Sequence, residues 1–412
     1  MIVHFTAIQF SKSFQATESG NMKIAGIAST ALSVFLFLAS AVSGSTQATE
    51  TMTPLLLAVQ DAPIPFTGSD GRTHLVYELG MTNFSSAPIA VEKVEVMGDG
   101  VILETLDTAA VTERLQAAGQ RESAGTLAGS ARANLFLHVV LAPGAKAPSE
   151  LLHRLALRVS AAPPGHQELN ETGGTITVDR QPVTLISPPL RGVGYISADS
   201  CCDSTRHMRA ALPVNGRMWI AQRYAVDWEQ LNAGGRIYTG PQDKLESYAI
   251  FGQPVLAVAN AVVVNVIDGQ PEQTPGSYPT NIPLEDADGN CVILDLGNRH
   301  YALYAHMQPG SIKVHRGEHV HPGQVIGLVG DTGNSIVPHL HFQVTDGPSG
   351  AASNGLPYEI TEFEVTGKTP GTKAFDEAET NGTPLAVTPF NPAQAVKRSM
   401  PLDQLIVSFP TH

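Results

Sequence analysis

The residue types and spacing most suited to chemistry lie near the end of the sequence, in the run from Gly330 to Val344, GDTGNSIVPHLHFQV. It contains His339 and His341 one residue apart. In a strand, residues i and i+2 point to the same face, about 6–7 Å apart. Both imidazoles can then address one small site. Upstream lie His306, in the run Leu303 to His306, and Asp227, in the run Tyr224 to Asp227. Neutral imidazoles and a carboxylate are the usual ligands of zinc, and a site that leaves a position open for water is the catalytic version. An imidazole not spent on metal can take or give a proton near neutral pH.

Such a site needs strands to position it, and the sequence supplies them. From about residue 50 to 187 apolar residues alternate. Leu75, Tyr77, Leu79 and Met81 fall on one face, as do Ala133, Leu135, Leu137, Val139 and Leu141. Leu155, Leu157 and Val159 form a third run, and Ile176 with Val178 begins a fourth. Period two is the strand signature. A single helical stretch is expected near Val111 to Ala117. The pattern predicts an immunoglobulin-like β-sandwich over 49–187. Its histidines (His74, His138, His153 and His166) are scattered and read as surface or strand-edge residues. Consecutive Pro188 and Pro189, then Gly192 and Gly194, mark a linker over 188–204. Beyond it the runs Val255 to Ile267, Cys291 to Leu296, His300 to His306, Gly323 to Gly330 and His339 to Val344 predict a second all-β domain over 205–366. A Thr-, Pro- and Gly-rich extension, 367–412, carries a final apolar run, Leu402 to Phe409.

The bulk properties agree with an all-β, globular chain. Of 412 residues, 42% are hydrophobic and 15% charged, which excludes wholesale disorder. Thirty-eight Gly and 29 Pro call for many turns. A net charge of −13 with no basic run argues against nucleic-acid partners. At the front, Lys23 precedes the apolar stretch Ala31 to Val42, and small residues follow to Ala48. This predicts an export signal within 1–48, because the apolar core of about 12 residues falls short of the roughly 20 that span a bilayer. No later segment reads as a membrane span. The mature chain is expected to be periplasmic, in the cell envelope or extracellular.

Taken together, the segments from about 205 to 348 resemble the lysostaphin-type (LytM-like) zinc endopeptidases, which cleave peptide cross-links in bacterial peptidoglycan. The resemblance rests on the His339–His341 context, on Leu303 to His306, on Val320 to Gly330, and on Val255 to Ala259 and Gly289 to Gly297, all in order. It implies an antiparallel β-sheet peptidase fold, one Zn2+ held by Asp227 and His341, and two non-ligand histidines, His306 and His339, that assist the attacking water and the developing oxyanion. Peptidoglycan peptides are the implied substrate. Tyr304 and Tyr238 are expected on the substrate-binding surface.

The family's first zinc ligand is a His four residues before the Asp. Here that position is Arg223, which stays protonated and cannot coordinate. Three outcomes are open. His207 replaces the ligand, or metal binds with two protein ligands, or the metal is lost and Arg223 pairs with Asp227. The last would make the chain a binding or regulatory module for other cell-wall hydrolases. The three cysteines cannot form a disulfide framework, though Cys201 or Cys202 could reach Cys291. His315, His319 and His321 read as a solvated hairpin, and Glu285, Asp286 and Asp288 as a solvated acidic loop.

Overall fold

The alternating runs of the N-terminal half form two sheets. The computed structural model describes residue 50 and residues 52–203 and 205–411; the expected export signal lies outside them. In one sheet the strands run Leu55–Val59, Thr73–Asn83, Arg132–Val140 and Leu115–Ala117, with Phe66–Thr67 beside Thr73–Asn83. In the other they run Glu168–Thr177, Glu150–Val159, Ile89–Gly98 and Val101–Leu106, with Thr126–Leu127 beside Ile89–Gly98. The period-two residues meet between the sheets: Leu75, Tyr77, Leu79, Met81, Leu135, Leu137, Val139, Leu155 and Leu157 are all buried in one core. The expected helix spans Thr108–Arg114. Asp107 caps it by accepting the Ala110 N–H, and it ends where Leu115 turns extended and joins a strand.

Most of the remaining strands build one eleven-stranded sheet, with Leu212–Val214 and Arg217–Trp219 paired apart from it. Its order is Thr184–Ile186, Tyr358–Lys368, Leu405–Phe409, Gly192–Ala198, Val226–Gln230, Leu340–Thr345, His300–Met307, Asn290–Gly297, Ala261–Ile267 and His319–Val320. Thr388–Ser399 pairs with Tyr358–Lys368 off this path. The pairings are antiparallel, apart from Thr184–Ile186 against Tyr358–Lys368. The apolar run from Val255 to Ile267 divides: Pro254–Leu256 pairs with Val325–Leu328, while Ala261–Ile267 enters the large sheet. The C-terminal residues contribute both a strand at the middle of this sheet and a helix, Thr372–Asn381, seated by Phe375 and Ala378. No helix among the described residues is long and apolar enough to cross a membrane.

Sandwich and large sheet belong to one compact unit, Met52–His412. Ile64, Phe66 and Val76 of the N-terminal half share a core with Trp228, Tyr304 and Phe342. An ion pair ties the same junction. Arg223, 5% exposed, meets Glu78, 4% exposed, in a two-pronged contact: Nε to Oε1 at 2.9 Å and Nη2 to Oε2 at 2.7 Å. Arg223 Nη1 also donates to the Gly355 carbonyl at 3.3 Å, and the Tyr224 hydroxyl donates to the Val76 carbonyl at 3.2 Å. Burial disfavours the guanidinium charge, but Glu78 more than compensates and holds Arg223 above its ordinary range. Planar guanidinium and carboxylate match each other bidentately, which a lysine could not reproduce.

Two outcomes test this arrangement. Glu78→Ala leaves the buried guanidinium only the Gly355 carbonyl and the longer 3.8 Å contact with Asp61, and should cost up to about 3–5 kcal/mol, read as a lowered urea midpoint. Ending the chain after Ser399 removes Leu405–Phe409 from between two strands of the sheet; the truncated protein should show no cooperative thermal transition.

Candidate metal centre

Three neighbouring strands put the site together. In the antiparallel register, Asp227 lies opposite His341, and His341 lies opposite Ala305. Residues opposite one another share a face, so Asp227 and His341 are side by side. His339 immediately precedes the strand Leu340–Thr345. His306 follows Ala305, and strict alternation would send it to the other face. Its φ of 62° breaks the alternation. A non-glycine residue rarely takes that conformation, and where it does, the surroundings fix it. Here the His306 N–H donates to the Asp288 carbonyl at 3.0 Å. On the far side of Asp227, the strand Gly192–Ala198 sets Ala198 opposite it, and the chain returns with His207.

Asp227 is the hub. His341 Nδ1 stands 2.8 Å from its Oδ1, His339 Nε2 3.5 Å from the same oxygen, and His207 Nε2 3.3 Å from Oδ2. His306 packs against His339 and His341, with ring centroids 4.7 and 5.8 Å away. Two sets of metal-capable atoms result, His207 with Asp227 and His341, and His306 with His339 and His341; within each, the ligand atoms lie within 4.8 Å of one another.

Each imidazole is oriented from behind. His207 Nδ1 donates to the Asp199 carbonyl at 2.8 Å, His306 Nδ1 to the Thr332 carbonyl at 2.7 Å and His339 Nδ1 to the Val337 carbonyl at 2.8 Å. His341 Nε2 donates to Gln343 Oε1 at 2.8 Å. The assignment follows from the acceptors, since a carbonyl oxygen can only receive a proton. The other nitrogen of every ring therefore faces the centre. An outer N–H given to an oxygen is how metal-binding histidines fix their tautomer. A carboxylate oxygen with inward-facing imidazole nitrogens fits the donor set of zinc.

The charges separate the histidines into two kinds. Burial opposes the charge on Asp227, yet His207 and His339 hold its carboxyl well below the usual range. Burial likewise opposes a charge on His207, but Asp227 raises it to about 9. Burial pushes His306 well below, and His339 below, the ordinary imidazole range. Those two are neutral near pH 7, each with an inward nitrogen that can accept a proton.

Several sequence expectations end elsewhere. Arg223 points to Glu78, so the salt bridge with Asp227 does not form. Tyr304 is a correction: it is wholly buried, and its hydroxyl accepts the Val258 N–H at 3.0 Å, so it cannot meet a substrate. Tyr238 is another; it is 8% exposed, packed on Tyr248 and in one core with Phe375 of the C-terminal helix. Cys201 and Cys202 are bonded to each other, and Cys291 is a buried free thiol. Among the described residues, neither His315, His319 and His321 nor Glu285, Asp286 and Asp288 gather as a metal-capable set. Sequence reasoning missed Glu78, Asp199 and Gln343. Gln343 carried a signal, being two residues after His341 on one strand face.

The comparisons with known proteins bear on the same segments. The sequence model of peptidase family M23 matches residues 245–354, which include His306, His339 and His341 but not His207 or Asp227. Lysostaphin of Staphylococcus staphylolyticus is 28% identical over 156 residues, 37% of this chain and 28% of its own length. Peptidoglycan DD-endopeptidase ShyA of Vibrio cholerae is 41% identical over 56 residues, 14% of this chain and 13% of its own. The chain thus spans under a third of either relative. A solved structure of the lysostaphin catalytic domain from Staphylococcus simulans aligns at 24% identity, covering 39% of this chain and 86% of that one, with a TM-score of 0.22. Residues 245–354, which carry three of the converging histidines, are thus similar to peptidase family M23.

Proposed function

We propose that this chain is an exported zinc-dependent endopeptidase that hydrolyses peptide bonds of bacterial cell-wall peptidoglycan. The observation that carries the reading is His207. It stands at Asp227 with its Nε2 inward, while the arginine at the position of the family's first ligand is drawn off to Glu78. Asp227, His341 and His207 would hold the ion. The relatives' names supply the substrate class, and the apolar stretch Ala31 to Val42 behind Lys23 supplies the export signal.

Zinc, when bound, supplies Lewis-acid chemistry, polarising a carbonyl oxygen and making water a stronger nucleophile near neutral pH. The protein's own groups do the rest. Neutral His339, its Nδ1–H held by Val337, has Nε2 free to take a proton from the attacking water. His306, braced on Thr332, is placed the same way; with a proton on Nε2 it can donate to a developing oxyanion or to the leaving amine. Asp227 keeps its negative charge throughout, and the burial of the four rings limits competing solvent.

Elemental analysis of purified protein should give about one zinc per chain. His341→Ala should lose both zinc and cleavage of purified sacculi. His306→Ala should keep zinc and slow cleavage by about 10²–10⁴-fold. A metal-free native chain that binds sacculi without cutting them would overturn this reading in favour of a binding module. Zinc uptake should also depend on pH. His207 must release a proton before coordinating, and its metal-free form holds that proton up to about pH 9. Competition with a chromophoric chelator should show affinity still rising between pH 7 and 9 in the wild type. In His207→Ala the affinity should be weaker and that part of the rise absent.

A further inference from the structure

A second cluster of titratable side chains lies away from Asp227, where the sandwich meets the residues after Cys202. His74, on strand Thr73–Asn83, is 2% exposed. His138, on strand Arg132–Val140, has a side chain 11% exposed. His74 Nδ1 and His138 Nε2 are 2.8 Å apart. The ring centroids are 5.1 Å apart, with 17° between planes. That separation exceeds the nitrogen contact by about one ring's breadth, so the rings meet end to end. The lone pair of one nitrogen faces the other nitrogen, and the contact needs one proton between them. A metal ion at bonds of about 2.0–2.1 Å would require both lone pairs to converge off that line.

The outer nitrogens are also committed. His74 Nε2 donates to Asp70 Oδ1 at 2.9 Å, and His138 Nδ1 donates to Asp203 Oδ2 at 2.8 Å. Three contacts need three protons on two rings, one more than two neutral imidazoles carry. Burial lowers the proton affinity of His74. The extra proton therefore resides on the less buried His138, which donates through both nitrogens. His74 stays neutral, giving its Nε2–H to Asp70 and its lone pair to His138.

We propose that His74 and His138 are positioning residues, a proton-dependent clamp in which doubly protonated His138 grips Asp203 and so steadies the backbone that returns His207 to Asp227. Asp203 lies four residues before His207. The positioning role rests on the reading of His207 as a metal ligand; the clamp itself does not. The charged groups around the pair are Asp70 and Arg72 beside His74, and Asp203 with Arg114 beside His138, with Arg209 also acting on Asp203. Arg114 Nη1 reaches Asp203 Oδ1 at 2.6 Å. The Phe66 ring stacks on His74 without charge, and Cys202, close to both inner nitrogens, is in a disulfide and carries no titrating proton. Against the pull of burial, His138 and Arg114 keep the Asp203 carboxyl low, so it accepts from both as a carboxylate. The sign follows. With the third proton bound, all three contacts are satisfied. Without it one contact lacks a proton: two lone pairs face each other at the inner contact, or a lone pair faces Asp203 or Asp70. The clamp is complete in acid and loses one of its three contacts as pH rises.

The test compares full-length wild type with His138→Gln, a change at a partly exposed side chain, from pH 5.5 to 8.5. Thermal melting in chelator reads the clamp without any metal. The wild type should melt about 1–2 °C higher at pH 5.5, and the difference should vanish by pH 8.5. A pH-independent difference, or none at pH 5.5, would overturn the clamp. Asp203→Asn should cause the same acid-side loss, and the double variant should add nothing further; additive losses would also overturn it. Zinc affinity reads the positioning: His138→Gln should weaken it by up to about tenfold at pH 6 and much less at pH 8.5. Equal affinities at pH 6 would remove the positioning role and leave the clamp. A wild type that binds no zinc at any pH would refute the metal reading and the positioning role with it, while the melting curves still decide the clamp. A second equivalent of zinc, lost in His74→Gln, would replace the shared proton by a metal ion.

Discussion

A carboxylate enclosed by the middle of a sheet has to be matched by positive charge or by a metal. Asp227 is that constraint. Its side chain retains 19% exposure, and three imidazoles crowd its two oxygens. Removing an ionised carboxylate from water costs several kcal/mol even after relaxation, so the fold must repay it locally. It does so by drawing His207 from one stretch of chain, and His339 with His341 from another, onto one group. Much of the surrounding architecture follows: the register that sets His341 opposite Asp227, the left-handed turn that returns His306, and the carbonyls that hold the outer nitrogens.

The same accounting explains Arg223. A guanidinium among those histidines would raise the cost of any divalent ion by direct repulsion. Four residues along the chain from Asp227, it is paired instead with a glutamate of the sandwich, and a histidine from a later turn of the preceding segment stands at the carboxylate. The exchange makes the N-terminal sheets part of the centre's support, because Glu78 secures the start of the strand that carries Asp227.

Much of this was legible in the residues alone. Alternating apolar positions in the runs Leu75 to Met81 and Ala133 to Leu141 set the sandwich faces, since one face had to be dry. His339 and His341 were legible from strand spacing, and His306 and Asp227 from motif context. His207 was one of three open outcomes, for its approach depends on the pairing of Ala198 with Asp227, a contact that no local pattern encodes. Tyr304 and Tyr238 went astray because an aromatic beside a site looks the same whether it faces the groove or the core; the Val258 N–H and the C-terminal helix decided. The vicinal bond between Cys201 and Cys202 was equally hidden, because spacing does not say which thiols meet.

The strand Leu405–Phe409 lies between Tyr358–Lys368 and Gly192–Ala198, the latter directly beside the strand of Asp227. Its neighbours emerge from the ribosome long before it does. Pairings of such wide sequence separation are closed late and slowly. The N-terminal sandwich can close on its own contacts, whereas the sheet beside Asp227 stays open until Leu405–Phe409 is inserted, so the metal centre is among the last parts of the fold to be fixed.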